Sequence, residues 1–286
     1  MTTVPTTTSR FEVGLAAAIA RKELRDAVRG RWFWLYTVGF AALAGVLAGV
    51  ALPGSVVSGT SSFGRTAASL VSLVQIVLPL MALTLGAQAI AGQVERGTLR
   101  FLLSHPVSRS EVFVGTYLGL LTATITTVGA GFGVAAIMTG ARGSYADVAV
   151  FVRITVLAIV LAAAMLGLGM LISVLSRRAA AALGSAVFAW LLLVFVGDLG
   201  LMGTAVATRM PVDVLFFSTI LNPVEAFRLA ALSALTGSLD VLGPAGTYAI
   251  DRFGGTLDAL LFGMLAVWAV VPAALSWRLF ARGRDV

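Results

Sequence analysis

The side chains able to do chemistry in this 286-residue chain are few, and what is missing narrows the options first. Cysteine is absent, one histidine stands at His105 and one lysine at Lys22. A zinc site of the HExxH kind and a Ser-His-Asp or Cys-His triad therefore lack their parts. Binding a nucleotide phosphate needs a glycine-rich loop that ends in Gly-Lys-Ser or Gly-Lys-Thr, and Lys22 follows no such loop. Gly197-Asp198 has the form of half an intramembrane aspartyl site, without a second intramembrane aspartate to share its proton. Methionine sulfur suits cuprous ion, but Met81, Met138, Met165, Met170, Met202, Met210 and Met264 stand singly, none paired at the i, i+3 or i, i+4 spacing of one helix face. The sequence predicts no catalytic residue, no metal site and no directly bound cofactor.

What remains is Gln93 to Gly115, QVERGTLRFLLSHPVSRSEVFVG, the most polar interruption of an otherwise apolar chain. It gathers Glu95, Arg96, Arg100, Arg109 and Glu111 around His105. Glu95 to Leu103 suits one amphipathic helix, and His105-Pro106 stops it because the residue before a proline is pushed out of helical geometry. Ser108-x-x-Glu111 then reads as a capping box, with Val107 and Val112 as its hydrophobic staple. A short helix held stiffly between two apolar helices passes a push to both, which suits a partner-docking site. An ordinary solvated loop is the alternative that composition alone supports.

The elements that must hold this loop follow from composition. With 59% hydrophobic residues, 12% charged residues and mean hydropathy +0.99, the chain has too little polar surface for a water-soluble globule. Its apolar runs are continuous and near the ~20 residues that cross a bilayer as helix, which excludes a transmembrane barrel. The expected class is an all-α membrane protein. The formal charge of +7 lies beside the apolar runs, so it sets orientation in the lipid bilayer and does not point to nucleic acid.

In order, residues 11–31 predict an amphipathic interfacial helix, with Lys22, Arg25, Asp26 and Arg29 on one face and Ala17, Ala20, Leu24, Ala27 and Val28 on the other. Six transmembrane helices are expected at 32–52, 67–91, 112–138, 151–176, 180–203 and 257–280, with the loop 93–111 between the second and third. Glycines at the xxx spacing, Gly45 with Gly49, Gly115 with Gly119 and Gly129 with Gly133, mark candidate close-packing faces. Residues 204–256 form an outer insertion, where Val212 to Ile220 and Val224 to Leu235 predict short outer helices broken at Asn222-Pro223. Within it, Asn222, Pro223, Glu225 and Arg228 are expected to form an outer gate or plug, the last two pairing at i, i+3. With both termini cytoplasmic, 14 of 20 basic residues fall inside, as the positive-inside rule requires. Spans this poor in ionisable groups argue against a proton or sodium relay and for energy that arrives from outside the membrane.

The pattern formed by Glu95, Gly97, Thr98, Leu99, Leu102, Leu103, Ser104, Pro106, Ser108 and Arg109 resembles the intracellular coupling region of ABC-2-type ABC transporter permeases. Ile19 to Asp26, IARKELRD, is similar to the amphipathic helix that begins those subunits. Leu221 to Leu229, LNPVEAFRL, resembles the segment before the last span in the branch that serves the copper-processing system maturing nitrous-oxide reductase. The resemblance implies a permease in the cytoplasmic (inner) membrane that pairs with a second copy of itself and docks a cytoplasmic ABC ATPase through Glu95 to Arg109, Arg96 and Arg100 included. ATP and magnesium then belong to that ATPase, and a periplasmic copper-handling protein is an implied further partner. An ABC-2-type exporter of a lipid, drug or other small molecule, and an ATP-independent membrane scaffold or channel subunit, stay open as alternatives.

Overall fold

In lipid, a backbone can satisfy its own polar groups only as a helix or a closed barrel, and every regular element among the described residues is helical. The computed structural model describes residues 12–50, 62–140, 148–176, 178–195, 211–236 and 244–283. Its helices are α1 (Val13–Arg29), α2 (Arg31–Val50), α3 (Ser62–Glu95), α4 (Thr98–Leu103), α5 (Arg109–Gly140), α6 (Val148–Leu175), α7 (Ala179–Leu191), α8 (Val212–Leu221), α9 (Pro223–Thr236), α10 (Pro244–Phe253) and α11 (Leu257–Ala281). The Gly/Ser-rich stretch after Pro53, the turn holding Arg142, Arg177, and Gly197-Asp198 lie outside the described residues.

Four stretches are long and apolar enough to cross a membrane: Ala67–Glu95, Arg109–Met138, Ala149–Leu175 and Tyr248–Ala281. The number reaches six if each of two bent pairs is one span, α1 with α2 at 67° and α8 with α9 at 107°. The expected count of six rested on different members, with α2 and α7 each crossing alone. The described part of α7 continues as a π-helical turn over residues 192–195. At 1.5 Å per residue, Ala179–Phe195 gives about 25 Å of helix, short of a ~30 Å hydrocarbon core.

α6 is the central pillar, packed against α3, α11, α5 and α9. Its closest approach to α3 is glycine on glycine. A Cβ on Gly86 would stand 2.6 Å from the Leu166 carbonyl oxygen, and one on Gly169 would stand 2.5 Å from that of Leu83. Nearby, the Ser173 hydroxyl accepts the backbone N–H groups of Ile90 and Ala91 at 3.0 and 2.8 Å, locking the crossing with polar contacts.

α1 lies across α5 in the same manner. A Cβ on Gly115 would meet Ile19 at 2.7 Å and one on Gly119 would meet the Ala20 carbonyl oxygen at 2.6 Å. The face α1 buries carries Ala16 and Ile19 with Ala20, Leu24, Ala27 and Val28 half-buried beside them, and of the predicted apolar stripe only Ala17 is exposed. Gly129 and Gly133 have nothing within 4 Å of an added Cβ. Two residues along, Gly131 is the one pressed by a neighbour, the Phe40 ring of α2. Spacing alone did not identify which glycines pack, because the partner's position selects the face.

Gly169→Ala is expected to lower stability by about 1–3 kcal/mol through overpacking. Gly129→Ala, with open space and better helix propensity, should be neutral or stabilising by up to ~1 kcal/mol. Thermal unfolding midpoints in detergent compare the two, and equal shifts would contradict this packing.

Candidate functional site

The polar loop is built as a rigid bracket. α3 ends at Glu95, and Gly97 turns the chain with φ +73°, a left-handed conformation that glycine adopts without a Cβ penalty. Thr98 Oγ1 donates back to the Gln93 carbonyl at 3.1 Å, and Leu99 is buried, so α4 is pinned to the end of α3. The chain leaves α4 through Ser104, whose hydroxyl donates to the Phe101 carbonyl at 2.7 Å, and His105, whose Nδ1 lies 3.1 Å from the same oxygen. The His105 ring meets Phe101 edge to face, with centroids 5.0 Å apart. Phe101 is 70% exposed, an aromatic knob standing out from the end of the bundle.

The restart of the chain is the capping box of Ser108 and Glu111. Glu111 N–H donates to Ser108 Oγ at 3.2 Å and Ser108 N–H donates to Glu111 Oε2 at 2.7 Å. Val107 and Val112 both join the apolar core, consistent with a hydrophobic staple. The second carboxylate oxygen of Glu111 accepts the Glu12 N–H, also at 2.7 Å, so one buried side chain joins the starts of α1 and α5. Arg109 lies over the buried Phe280 ring at 6.0 Å, and Phe280 is 6.2 Å from Phe113, which brings the end of α11 to the same place.

The predicted docking residues therefore divide by position. Arg100, Ser104 and Pro106 are exposed with Phe101 and His105 at the tip. Leu99 is buried, and Leu102 and Leu103 pack against the core from half-buried positions. Ser108 and Arg109 serve the restart of α5. Glu95 accepts the Ala179 N–H at 2.9 Å and so caps α7. Arg96 turns to a cleft beside α3. Phe101 was missed because it occupies an unspecified place in the motif, although a phenylalanine between Arg100 and His105 on a polar helix is itself a docking signal.

At the other end, α8 and α9 form a wedge bent at Asn222-Pro223. Asn222 caps α9 by accepting the Val224 N–H at 3.0 Å and donates to the Leu193 carbonyl at 2.6 Å. The π-helical turn of α7 presents that carbonyl. Trp268 Nε1 donates to the Leu221 carbonyl at 3.0 Å, tying the wedge to α11. Glu225 is buried, pairs with Arg228 at 3.7 Å and accepts from Gln75 Nε2 of α3 at 3.2 Å.

A helical bundle with four to six stretches long and apolar enough to cross a membrane, and a capped, pinned polar bracket at one end, has the form of a polytopic membrane subunit. Residues 17–284 match the ABC-2 family transporter protein profile, and the chain belongs to that family: it is an ABC-2 permease of an ABC transporter. A relative from Stutzerimonas stutzeri, named probable ABC transporter permease protein NosY, is 31% identical over 273 residues, covering 92% of this chain and 97% of that protein. One of the same name from Pseudomonas aeruginosa is 33% identical over 274 residues, with the same coverage of both chains.

Removing the hub should loosen both helix starts. Glu111→Ala removes the acceptor of the part-buried Glu12 and Ser108 N–H groups, at about 0.5–1.5 kcal/mol for each hydrogen bond lost. Hydrogen exchange over residues 12–20 and 108–115 is expected to speed up together, while exchange in α6 stays slow. Acceleration confined to residues 108–115 would show that Glu111 does not hold α1.

Proposed function

We propose that this permease couples ATP hydrolysis by a separate cytoplasmic ATPase to work at the opposite side of the membrane, with the tip of α4 as the docking element. The observation that carries this reading is the exposed set Arg100, Phe101, Ser104, His105 and Pro106 on a base fixed by Leu99, Thr98, Glu95 and Glu111. A tip that moves only with its base delivers displacement, whereas a loose loop absorbs it. ATP and magnesium reside in the ATPase. The permease acts as a homodimer in the inner membrane, with six spans and both termini cytoplasmic, an arrangement supported by the arginines concentrated at the bracket end.

The path we infer runs along α7. Glu95 caps its start and Asn222 takes a carbonyl at its described end, so α7 links the docking bracket to the wedge of α8 and α9. Asn222, Pro223, Glu225 and Arg228 then form the outer plug, which shifts when α7 shifts. The likeness of Leu221 to Leu229 to the nitrous-oxide reductase branch, together with relatives named NosY, supports a role in copper-site maturation of that enzyme with a periplasmic copper-handling partner.

Arg100→Glu combined with Phe101→Ala should weaken capture of the co-expressed ATPase at least tenfold, a loss of about 1.4 kcal/mol or more. The chain should remain folded in the membrane. Undiminished capture would refute docking through α4.

A further inference from the structure

We propose that the cleft between α1, α2, α3, α5 and α7 binds a phospholipid whose headgroup carries a primary ammonium. The cavity, of about 480 Å³, is too small to enclose a whole diacyl phospholipid and takes its headgroup with the start of the chains, which continue into the surrounding bilayer. Its two ends differ in chemistry. Near the bracket it is walled by Glu23, Asp26, Gln93 and Arg96, and farther along α3 it is mainly apolar, with Leu80, Leu85 and, from α7, Leu183 and Val187 around the polar side chains of Tyr36, Thr84 and Gln88. From Leu80 to Glu95 α3 advances roughly 22 Å at 1.5 Å per residue, more than the ~15 Å of one hydrocarbon leaflet. A ligand that fills this space has a polar head at the bracket and an apolar tail directed into the bundle's membrane depth.

The charges specify the head. The Arg96 guanidinium, on an exposed residue, forms no ion pair or hydrogen bond among the described residues and folds back over Gly92 within 3.3 Å of where a Cβ would be. An unpaired guanidinium beside an apolar wall suits a phosphate. Opposite it, Lys22 Nζ lies 3.1 Å from Glu23 Oε1 and 3.1 Å from Asp26 Oδ2, and Gln93 Nε2 donates to that same Glu23 oxygen at 3.2 Å. Glu23 Oε2 and Asp26 Oδ1 are left as acceptors with no partner among the described residues.

The cleft thus sets one unpaired cation against two carboxylates that share one lysine, which sums to zero charge. A zwitterion with a phosphate at Arg96 and an N–H-bearing cation at Asp26 and Glu23 matches that balance. A quaternary choline offers no N–H to the open oxygens, and a glycerol headgroup offers no cation. Of the ethanolamine, choline and glycerol headgroups, ethanolamine alone satisfies both ends, and a serine headgroup adds a carboxylate that the zero-sum cleft does not balance. This inference is independent of ATPase docking, since Arg96 faces the cleft and the α4 tip does not.

The test uses the full chain in nanodiscs of equimolar dioleoyl phosphatidylethanolamine, phosphatidylcholine and phosphatidylglycerol, extracted in mild detergent and read by native mass spectrometry. Retained lipid should favour phosphatidylethanolamine about tenfold over each of the others. Arg96→Gln should remove retention of all three, and Asp26→Asn should bring phosphatidylethanolamine down to the level of phosphatidylcholine. Leu183→Trp, which fills the apolar end and leaves every charge in place, should also empty the cleft. Equal retention of the three lipids in the unmodified chain would overturn the proposal, as would indifference to Arg96→Gln or Asp26→Asn. Displacement of the lipid by millimolar inorganic phosphate would overturn it too, showing a simple anion site.

Discussion

The bracket depends on one buried carboxylate. Glu111 is 1% exposed, and burying a charge away from water costs several kcal/mol unless strong hydrogen bonds replace its hydration. Here both oxygens are met at 2.7 Å by backbone N–H groups, one from the start of α1 and one from the start of α5. Both are helix N-termini, where the dipole favours negative charge. The side chain therefore cannot leave its place without exposing unmet donors on two helices at once. One side chain thus ties the start of α1 to the start of α5.

The rest of the bundle is arranged to keep that junction connected. Gly115 and Gly119 let α1 settle on α5 within direct backbone contact, and Gly86 with Gly169 does the same for α3 and α6. Close backbone approach replaces the hydrophobic driving force that lipid cannot supply between helices. α7 is fastened at its start by Glu95 and near its described end by Asn222. The π-helical turn that releases the Leu193 carbonyl for Asn222 is the kind of local irregularity that occurs where a helix meets a functional contact. Stiff packing, polar stitches at helix ends and an exposed aromatic tip are the features on which the proposed transfer of displacement rests.

Local features were the legible ones. The stop at His105-Pro106, the Ser108 capping box and the break at Asn222-Pro223 are each set by neighbours within a few residues, and the structure has all three, whereas the single helix expected over Glu95 to Leu103 is broken at Gly97, whose φ of +73° separates α3 from α4. Contacts across the chain were not readable. Glu12 and Glu111 are 99 residues apart, and Gln75 and Glu225 are 150 apart, so no periodicity joins them. Gly115-xxx-Gly119 and Gly129-xxx-Gly133 have the same spacing, yet only the first is covered, because what covers it is α1. Glu95 and Arg96 both stand exposed at the loop, and what the sequence does not tell is that Glu95 also accepts the Ala179 N–H and Arg96 lines the cleft. α10 escaped notice because residues 244–253 are polar enough to read as a connection.

The most direct measurement exploits the absence of cysteine from the chain. A single cysteine at Phe101, paired by a short bifunctional reagent with the ATPase in native membranes, is predicted to cross-link efficiently and to change its yield between nucleotide-free and ATP-bound conditions. A single cysteine at Ile137, exposed near the opposite end of α5, is predicted to give no such product. Cross-linking at position 137 with none at position 101 would contradict the assignment of α4 as the element that meets the ATPase.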